Sequence, residues 1–271
     1  KAAKIMTHDC DLCGSTSYTP LPQDERIAVC QGCGFVHVRE RRSSEEIAAA
    51  WGAVYGEAYN PEWPGVKARL YYVAEWLDQH YGLAGKTLLD IGAGRGQFMH
   101  FAAAKGAYPV GLEPSAANCQ HIRSLGLPAN HGSIESVAYM GQYDFVTILW
   151  TLENCVDCLA MLRWAKEQLA PGGRVVVATG SRILVPFKKA LSSYLNPKLP
   201  ADLHCFRWTP ETLCLAFQHV ELGIELVNDY RERDELVVVA RVDPVSLVAL
   251  ANFNLPDLVL AHFAEWGRLF P

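Results

Sequence analysis

The stretch LLDIGAGRGQFMHF, residues 88–101, decides the fold of this chain. An apolar run that ends in Asp90 comes directly before a loop with glycine at every second position, Gly92, Gly94 and Gly96. A short buried strand, a glycine turn and a helix, in this order, form the first unit of a parallel sheet with covering helices. In such sheets, ligands bind beyond the carboxyl ends of the strands, beside the loop after the first strand.

The same alternation continues through residues 85–243. Apolar segments such as YDFVTILW (143–150) alternate with helical patterns of about 10–15 residues, which predicts a doubly wound α/β sheet. Near the end, IELVNDY (224–230) and ELVVVARV (235–242) are separated only by the charged RERD. This pattern predicts a hairpin, so the last strand of the sheet should be antiparallel.

Composition excludes several classes of protein. The chain has 271 residues, half of them apolar, which is enough for a sizeable core. A net charge of −5 and a pI near 6.0 disfavour nucleic acid as a partner. No apolar run reaches the roughly 18 residues that span a bilayer, and KAAKIMTHDC at the start has no apolar secretion signal. We therefore expect a cytoplasmic protein without a membrane partner.

Four cysteines near the start have the spacing of a metal site. They fall in CDLCG (10–14) and CQGCG (30–34), and each glycine allows the tight turn of a knuckle. The predicted ligands of a structural Zn²⁺ are Cys10, Cys13, Cys30 and Cys33. Residues 1–40 would then be a zinc ribbon; the alternative is four free thiols in a small β-rich region. A second CxxC, Cys155 to Cys158, lacks a partner pair and is interpreted as ordinary apolar packing rather than a redox site.

Two helical segments flank the predicted sheet domain. Residues 41–84 form a helical lead, in which SSEE starts one helix and an apolar stripe from Val66 to Tyr81 marks a second. Residues 244–271 contain two apolar helical patterns that would cover a sheet edge or form a dimer contact. Both a monomer and a homodimer remain open.

The glycine loop departs from two familiar phosphate-binding patterns. Nicotinamide cofactors require glycine at the sixth position of G-x-G-x-x-G, where this chain has Gln97, and the Gly-Lys-Ser/Thr of a P-loop is absent. Residues 86–243 resemble instead the class I methyltransferases that use S-adenosylmethionine: LLDIGAGRG matches their first motif, VGLEPS the second, and YDFVTILWTLEN and LAPGGRVVVATG the fourth and fifth strands. The resemblance implies a Rossmann-like sheet of seven strands and S-adenosylmethionine as cofactor.

The resemblance also implies a set of cofactor-binding residues. They are Asp90, Gly92, Ala93, Gly94, Gly96, Glu113, Pro114, Ser133, Ile134, Trp150, Thr151, Tyr55 and Tyr59. Glycines let the backbone approach the methionine part, and the carboxylate of Glu113 can accept hydrogen bonds from the ribose hydroxyls. Trp150 and Thr151 would face the sulfonium. Tyr55 and Tyr59 would either close over the methionine carboxylate or pack in the core.

A long connection, residues 181–208, follows the fifth strand and predicts a substrate lid. Its end, DLHCFRWTPETL, resembles a stretch of small-molecule methyltransferases in which the histidine faces the acceptor, so His204 is a candidate general base; the alternative is a surface or capping role. Glu153 is the second catalytic candidate, although Asn154 replaces the histidine that many relatives carry after it. The lid cations either bind an anionic group such as phosphate or form a solvated face; they are Arg182, Lys188, Lys189, Lys198 and Arg207.

These features favour a methyltransferase acting on a small polar acceptor, such as a sugar, a glycan precursor or a secondary metabolite, most simply at oxygen. An alternative is a base methyltransferase of rRNA or tRNA, but such relatives finish their knuckle with histidine, and this chain has Cys33. A second alternative is a non-catalytic zinc-ribbon interaction protein with a degenerate methyltransferase fold. A nicotinamide oxidoreductase is the remotest of the four.

Overall fold

A computed structural model describes residues 5–54, 62–180, 182–233, 235–242 and 254–271, with backbone only for 52–54. The strands are β1 (Met6–Thr7), β2 (Tyr18–Leu21), β3 (Asp24–Cys30), β4 (Val36–Val38), β5 (Glu40–Arg41), β6 (Thr87–Ile91), β7 (Tyr108–Glu113), β8 (Ala129–His131), β9 (Tyr143–Leu149), β10 (Leu169–Gly180), β11 (Phe206–Arg207), β12 (Gly223–Val227) and β13 (Glu235–Arg241). The helices are α1 (Ser44–Val54), α2 (Pro64–Tyr81), α3 (Gln97–Ala104), α4 (Ala116–Ser124), α5 (Cys158–Glu167), α6 (Leu191–Leu195), α7 (Pro210–His219), α8 (Tyr230–Arg233) and α9 (Leu255–Leu269), with short 3₁₀ helices at Leu152–Asn154 and Ala201–His204.

Seven strands form the main sheet, in the order β12-β13-β10-β9-β6-β7-β8. The pairs β6–β7, β6–β9, β7–β8 and β9–β10 are parallel, whereas β13 is antiparallel to both of its neighbours. The predicted fold class is thus confirmed, including the antiparallel last strand. That strand does not lie at the edge: the hairpin inserts β13 between β10 and β12, and its connecting RERD segment forms the short helix α8 rather than a simple turn.

Local sequence explains where the helices begin. Ser43 and Glu46 form a reciprocal capping box at the start of α1, each side chain accepting from the backbone N–H of the other. Thr209 and Thr212 do the same for α7, whose first residue is Pro210. These caps satisfy N–H groups that would otherwise have no partner within the helix.

Alternate residues of the central strands face two different cores. Leu88 of β6 packs with α2 and α3 on one face of the sheet. Leu89, the next residue, packs on the other face with α5, α7 and the knuckle residues Cys10 and Cys30. The cysteine-containing segment therefore shares a core with the sheet domain.

A second, four-stranded sheet joins the cysteine segment to the lid. Its order is β11-β4-β3-β2, so the last strand of the lid pairs with a strand of the ribbon. Helix α9 packs on this small sheet through Leu255, Val259, Phe263 and Trp266. The fit is close: a Cβ at Gly34 would lie 2.7 Å from Cγ of Leu255. Of the C-terminal residues that the structure describes, α9 thus covers the ribbon sheet rather than an edge of the main sheet.

Candidate active site

The glycine loop after β6 has the backbone conformation that its sequence requires. Gly92, Gly94 and Gly96 have φ values of +72°, +57° and +79°, which L side chains rarely adopt. A Cβ at Gly92 would lie 2.5 Å from both Oγ1 and Cγ2 of Thr151, so the loops after β6 and β9 meet at this glycine. Gly96 then begins α3 as a left-handed cap.

Glu113, at the end of β7, contacts the glycine loop directly. Its Oε2 accepts a 2.8 Å hydrogen bond from the Gly94 amide, and its Oε1 accepts one of 2.9 Å from the Ser115 amide. Burial raises the pKa of this carboxyl, while the two amides act in the opposite direction. The acid and the loop, predicted from separate motifs, therefore form one site.

Asp90 provides a second buried carboxyl beside the loop. It is 3% exposed, and among the described residues its side-chain hydrogen-bond donor is Thr147, at 2.7 Å. Burial raises its pKa to about 7; the Thr147 bond lowers it and the Glu113 charge raises it further. Neither carboxyl forms a salt bridge with a residue that the structure describes. The pair therefore fits an S-adenosylmethionine molecule, whose ammonium and ribose hydroxyls are hydrogen-bond donors.

The loop after β9 carries the residues expected to face the sulfonium. Trp150 has φ of +50°, an unusual conformation for a bulky residue and one that concentrates at functional sites. Its carbonyl accepts a 2.9 Å hydrogen bond from Nδ2 of Asn154, and the guanidinium of Arg69 lies 4.1 Å from its ring centroid. Thr151 packs on Gly92, so both residues border the glycine loop.

The remaining predicted cofactor residues lie mostly at the same edge of the sheet. Ala93 packs with α4 residues, and the Pro114 carbonyl is 3.0 Å from Nε2 of His131. Ser133 and Ile134 follow β8; the Ser133 amide donates to Oγ of Ser136, and Ile134 packs against the core. Tyr55 and Tyr59 lie outside the described residues.

Glu153 lies in the 3₁₀ helix that follows the Trp150 loop. It is 7% exposed, and its Oε2 has no hydrogen-bond partner among the described residues. Burial raises its pKa to about 7, opposed by a hydrogen bond from Thr179 and by the charge of Arg69. A carboxyl with a pKa near neutrality can accept and release a proton at physiological pH. Asn154 replaces the expected histidine, and its side chain supports the Trp150 backbone instead.

His204, at the end of the lid, is half-buried and lies near the same loop. Its 3₁₀ helix packs against the helix of Glu153, and its ring meets that of Trp51 edge-on at 5.4 Å between centroids. Burial, together with the charges of Arg207, Lys189 and Arg69, lowers its pKa to about 3. The imidazole is therefore neutral at pH 7 and, in this state, a weaker base than Glu153.

Tyr194, which the sequence did not single out, belongs to the same group. Its hydroxyl is buried and has no hydrogen-bond partner among the described residues. Burial raises its pKa to about 12; the charges of Arg207 and Arg182 lower it, and Glu153 raises it. The segment SSYL has no motif or spacing that marks this tyrosine, because only the folded lid brings it to the site.

The four knuckle cysteines have the geometry of a tetrahedral metal site. The sulfur atoms all lie within 4.8 Å of one another, with Cys10–Cys33 at 3.6 Å and Cys13–Cys30 at 3.4 Å. Zn–S bonds of about 2.3 Å place tetrahedral sulfurs about 3.8 Å apart, so the set fits Zn²⁺. By contrast, burial raises the pKa of the Cys155 and Cys158 thiols well above their usual value, which disfavours a reactive thiolate.

Two arginines that directly follow the ribbon connect it to the active-site elements. The buried Arg41 binds both carboxylate oxygens of Asp11, at 2.9 and 2.6 Å, and donates to the carbonyl of Val156, just after the Glu153 helix. The half-buried Arg42 binds both oxygens of Asp202 in the His204 helix, at 2.8 and 2.6 Å. The segment that follows the ribbon therefore contacts both of the short helices that carry the candidate catalytic residues.

This arrangement of loop, acid and strand order defines a methyltransferase that uses S-adenosylmethionine. A family model described as "Methyltransferase domain" matches residues 67–227, and the chain belongs to this family. The predicted enzyme class and cofactor are thereby confirmed.

Curated relatives point the same way. The chain is 31% identical over 218 residues to the ubiquinone biosynthesis O-methyltransferase of Methylobacterium sp. (strain 4-46), covering 72% of this chain and 84% of that enzyme. It is 33% identical over 142 residues to the enzyme of the same name from Pseudomonas paraeruginosa (strain DSM 24068 / PA7), covering 49% of this chain and 61% of that one.

Among solved structures, the fold is similar to magnesium protoporphyrin IX methyltransferase from Synechocystis PCC 6803 with bound SAH, with a TM-score of 0.53 and 15% identity. That match covers 73% of this chain and 94% of the other. Within the described residues, no helix is both long and apolar enough to span a membrane.

Proposed function

We propose that this enzyme transfers a methyl group to a hydroxyl oxygen of a small polar acceptor, bound between the loop after β9 and the lid of residues 181–208. The proposal depends mainly on Glu153, which lies three residues past Trp150. Its carboxyl is buried, its Oε2 has no hydrogen-bond partner among the described residues, and its pKa is about 7. The names of the two curated relatives described above, both ubiquinone biosynthesis O-methyltransferases, support oxygen as the nucleophile.

When bound, S-adenosylmethionine supplies a methyl group already activated by its sulfonium. The carboxyls of Asp90 and Glu113 would accept hydrogen bonds from its ammonium and ribose hydroxyls. The glycine loop, which has no side chains at Gly92, Gly94 and Gly96, would leave room for its methionine part. Glu153 would take the proton of the acceptor hydroxyl through Oε2 as the new O–C bond forms and the C–S bond breaks. The lid excludes water and holds the acceptor in line with the methyl group.

The four cysteines would hold a structural Zn²⁺, because a closed set of thiolates leaves no coordination position for substrate. In this proposal the ribbon does not take part in the chemistry. Arg41, which binds Asp11 of the ribbon, and its neighbour Arg42 support the short helices of Glu153 and His204.

The test is methyl transfer from labelled S-adenosylmethionine to a panel of small hydroxylated acceptors by wild type and Glu153→Gln. A lost general base typically lowers kcat by about 100-fold or more, and the wild-type rate should rise with pH through about 7 as Glu153 loses its proton. The affinity for SAH should stay unchanged.

Glu221→Gln is the matched control, because Glu221 is exposed and its salt bridge is with Lys166, near the end of α5. Full turnover in Glu153→Gln, with a pH profile like that of wild type, would remove Glu153 from the mechanism.

A further inference from the structure

One of the lid cations is buried. Arg207, in β11, is 6% exposed, whereas Lys188 and Lys198 lie at the surface. An arginine keeps its charge in any environment compatible with folding, so its burial carries a cost unless an anion is nearby. Burial accordingly lowers the pKa of Arg207 from its usual value.

Arg207 forms no salt bridge with any residue that the structure describes. Its Nη1 donates to the carbonyl of His204 at 3.1 Å. The charge of Asp24 reaches it, but both carboxylate oxygens of Asp24 already bind Arg26, at 2.7 and 2.6 Å. The positive charge of Arg207 is thus not matched by an acid of its own.

Arg207 lies close to Tyr194, another residue of the lid. Its guanidinium carbon is 5.9 Å from the centroid of the Tyr194 ring. The charge of Arg207 lowers the pKa of the tyrosine hydroxyl and that of Glu153 raises it, so all three side chains are neighbours.

Two buried polar groups in this neighbourhood lack a hydrogen-bond partner among the described residues. They are the Tyr194 hydroxyl and Oε2 of Glu153. Buried polar atoms in folded proteins are nearly always paired, so unpaired ones around a shared charge point to a ligand. The lid supplies Tyr194 and Arg207, and the loop after β9 supplies Glu153.

We propose that the methyl acceptor carries an oxyanion, a carboxylate or a phosphate, which Arg207 and the Tyr194 hydroxyl bind while Glu153 receives the hydroxyl to be methylated. This inference rests on the proposed function and names its substrate class. The planar guanidinium can bind two oxygens of such a group at once. The ribbon sets the position of Arg207, because β11 pairs with β4.

The test measures binding without turnover. SAH-loaded protein is titrated by calorimetry with benzoate, phenyl phosphate and the neutral benzamide, so that the carboxylate of the cofactor product already fills its own subsite. We expect at least one of the two anions to bind wild type tenfold or more tightly than benzamide. Arg207→Gln should abolish this preference, and Arg207→Lys should retain part of it.

Arg163→Gln is the control, since it removes the same charge from an exposed position on α5. Because Arg207 is buried, the melting temperature and the SAH affinity of each variant establish that it has folded. The imidazole signal of His204, followed by NMR, is a second readout: a bound anion should raise the pH at which it titrates, from about 3 towards its ordinary value.

Equal binding of the anions and benzamide by wild type would overturn the inference, as would an unchanged preference in Arg207→Gln. A loss of SAH affinity in folded Arg207→Gln would also overturn it, because Arg207 would then serve the cofactor. These results are distinct from failure of the proposed function. The anions can fail to bind while neutral hydroxylated acceptors are methylated, which would overturn only this inference; Glu153→Gln can remain active while the anions bind, which would overturn only the proposed function.

Discussion

The contact between Arg42 and Asp202 is the sharpest test of how the segment that follows the ribbon supports the lid. Asp202 accepts three hydrogen bonds from Arg42: one of 3.0 Å from the backbone amide and two, of 2.8 and 2.6 Å, from the guanidinium. The carboxylate side chain is 7% exposed and the guanidinium 21%. Asp202→Asn keeps the shape of the side chain and removes its charge.

The expected loss of stability follows from this geometry. Hydrogen bonds to charged groups contribute about 1.5–3 kcal/mol, but Arg42 can turn partly into water, so we expect a total loss of about 2 kcal/mol. For a chain of this size, each kcal/mol shifts the melting temperature by roughly 2–4 °C, which predicts a decrease of roughly 4–8 °C at pH 7.

The contribution of this contact to stability should depend on pH. Burial opposes ionisation of Asp202, but the hydrogen bonds from Arg42 prevail and hold the pKa of Asp202 below the usual range. The stabilisation is therefore complete above the unfolded-state pKa of about 3.9 and is lost as the pH falls through the lower folded-state pKa. The difference in melting temperature between wild type and Asp202→Asn should shrink in that acidic window.

Calorimetric melts of wild type, Asp202→Asn and the exposed-pair control Glu221→Gln measure this directly. In addition, Asp202→Asn should raise the KM for the acceptor and leave the Kd of SAH unchanged, because Asp202 belongs to the lid and not to the glycine loop. An unchanged melting temperature at pH 7, or a difference that does not depend on pH, would refute the proposed anchoring.

Two further predictions concern the cofactor and the metal. Glu113→Ala should weaken S-adenosylmethionine binding at least tenfold, because the ribose hydroxyls lose an acceptor and the Gly94 amide loses its 2.8 Å partner. Calorimetry measures this affinity, and a value equal to that of wild type would show that Glu113 does not bind the cofactor. Undenatured protein should contain one zinc per chain, and chelation should lower the melting temperature and raise the acceptor KM more than the Kd of SAH. A metal-free preparation that melts like the untreated protein would contradict the zinc site.

The elements that the sequence predicted best are those encoded by short-range patterns. The glycines of residues 88–101 are the residues that tolerate positive φ, and they adopt it. The alternation of apolar strands and helices predicted a doubly wound α/β sheet, and the resemblance to class I methyltransferases added its seven strands, which the structure has. The two CxxC pairs brought four sulfurs within 4.8 Å of one another. In each case neighbouring residues constrain the backbone, so the information lies within a few positions of the chain.

The ribbon illustrates what these patterns could not show. Its cysteine spacing suggested a separate unit of residues 1–40, but Cys10 and Cys30 pack in the same core as Leu89 of the main sheet. The pairing of β4 with β11 and the packing of α9 join segments that are far apart in the chain. Such contacts depend on the shapes of surfaces that exist only after folding.

The sequence alone predicted the fold class, the glycine loop and the cluster of four cysteines, because glycine conformation, strand periodicity and thiol spacing are local properties. The tertiary structure decided which groups of the lid lie close to the loop after β9. It favoured Glu153 over His204 as the base, since burial raises the pKa of a carboxyl and lowers that of an imidazole. It also brought Tyr194 and Arg207 to the site, because burial and the distances between charges are set by the folded chain and not by the order of its residues.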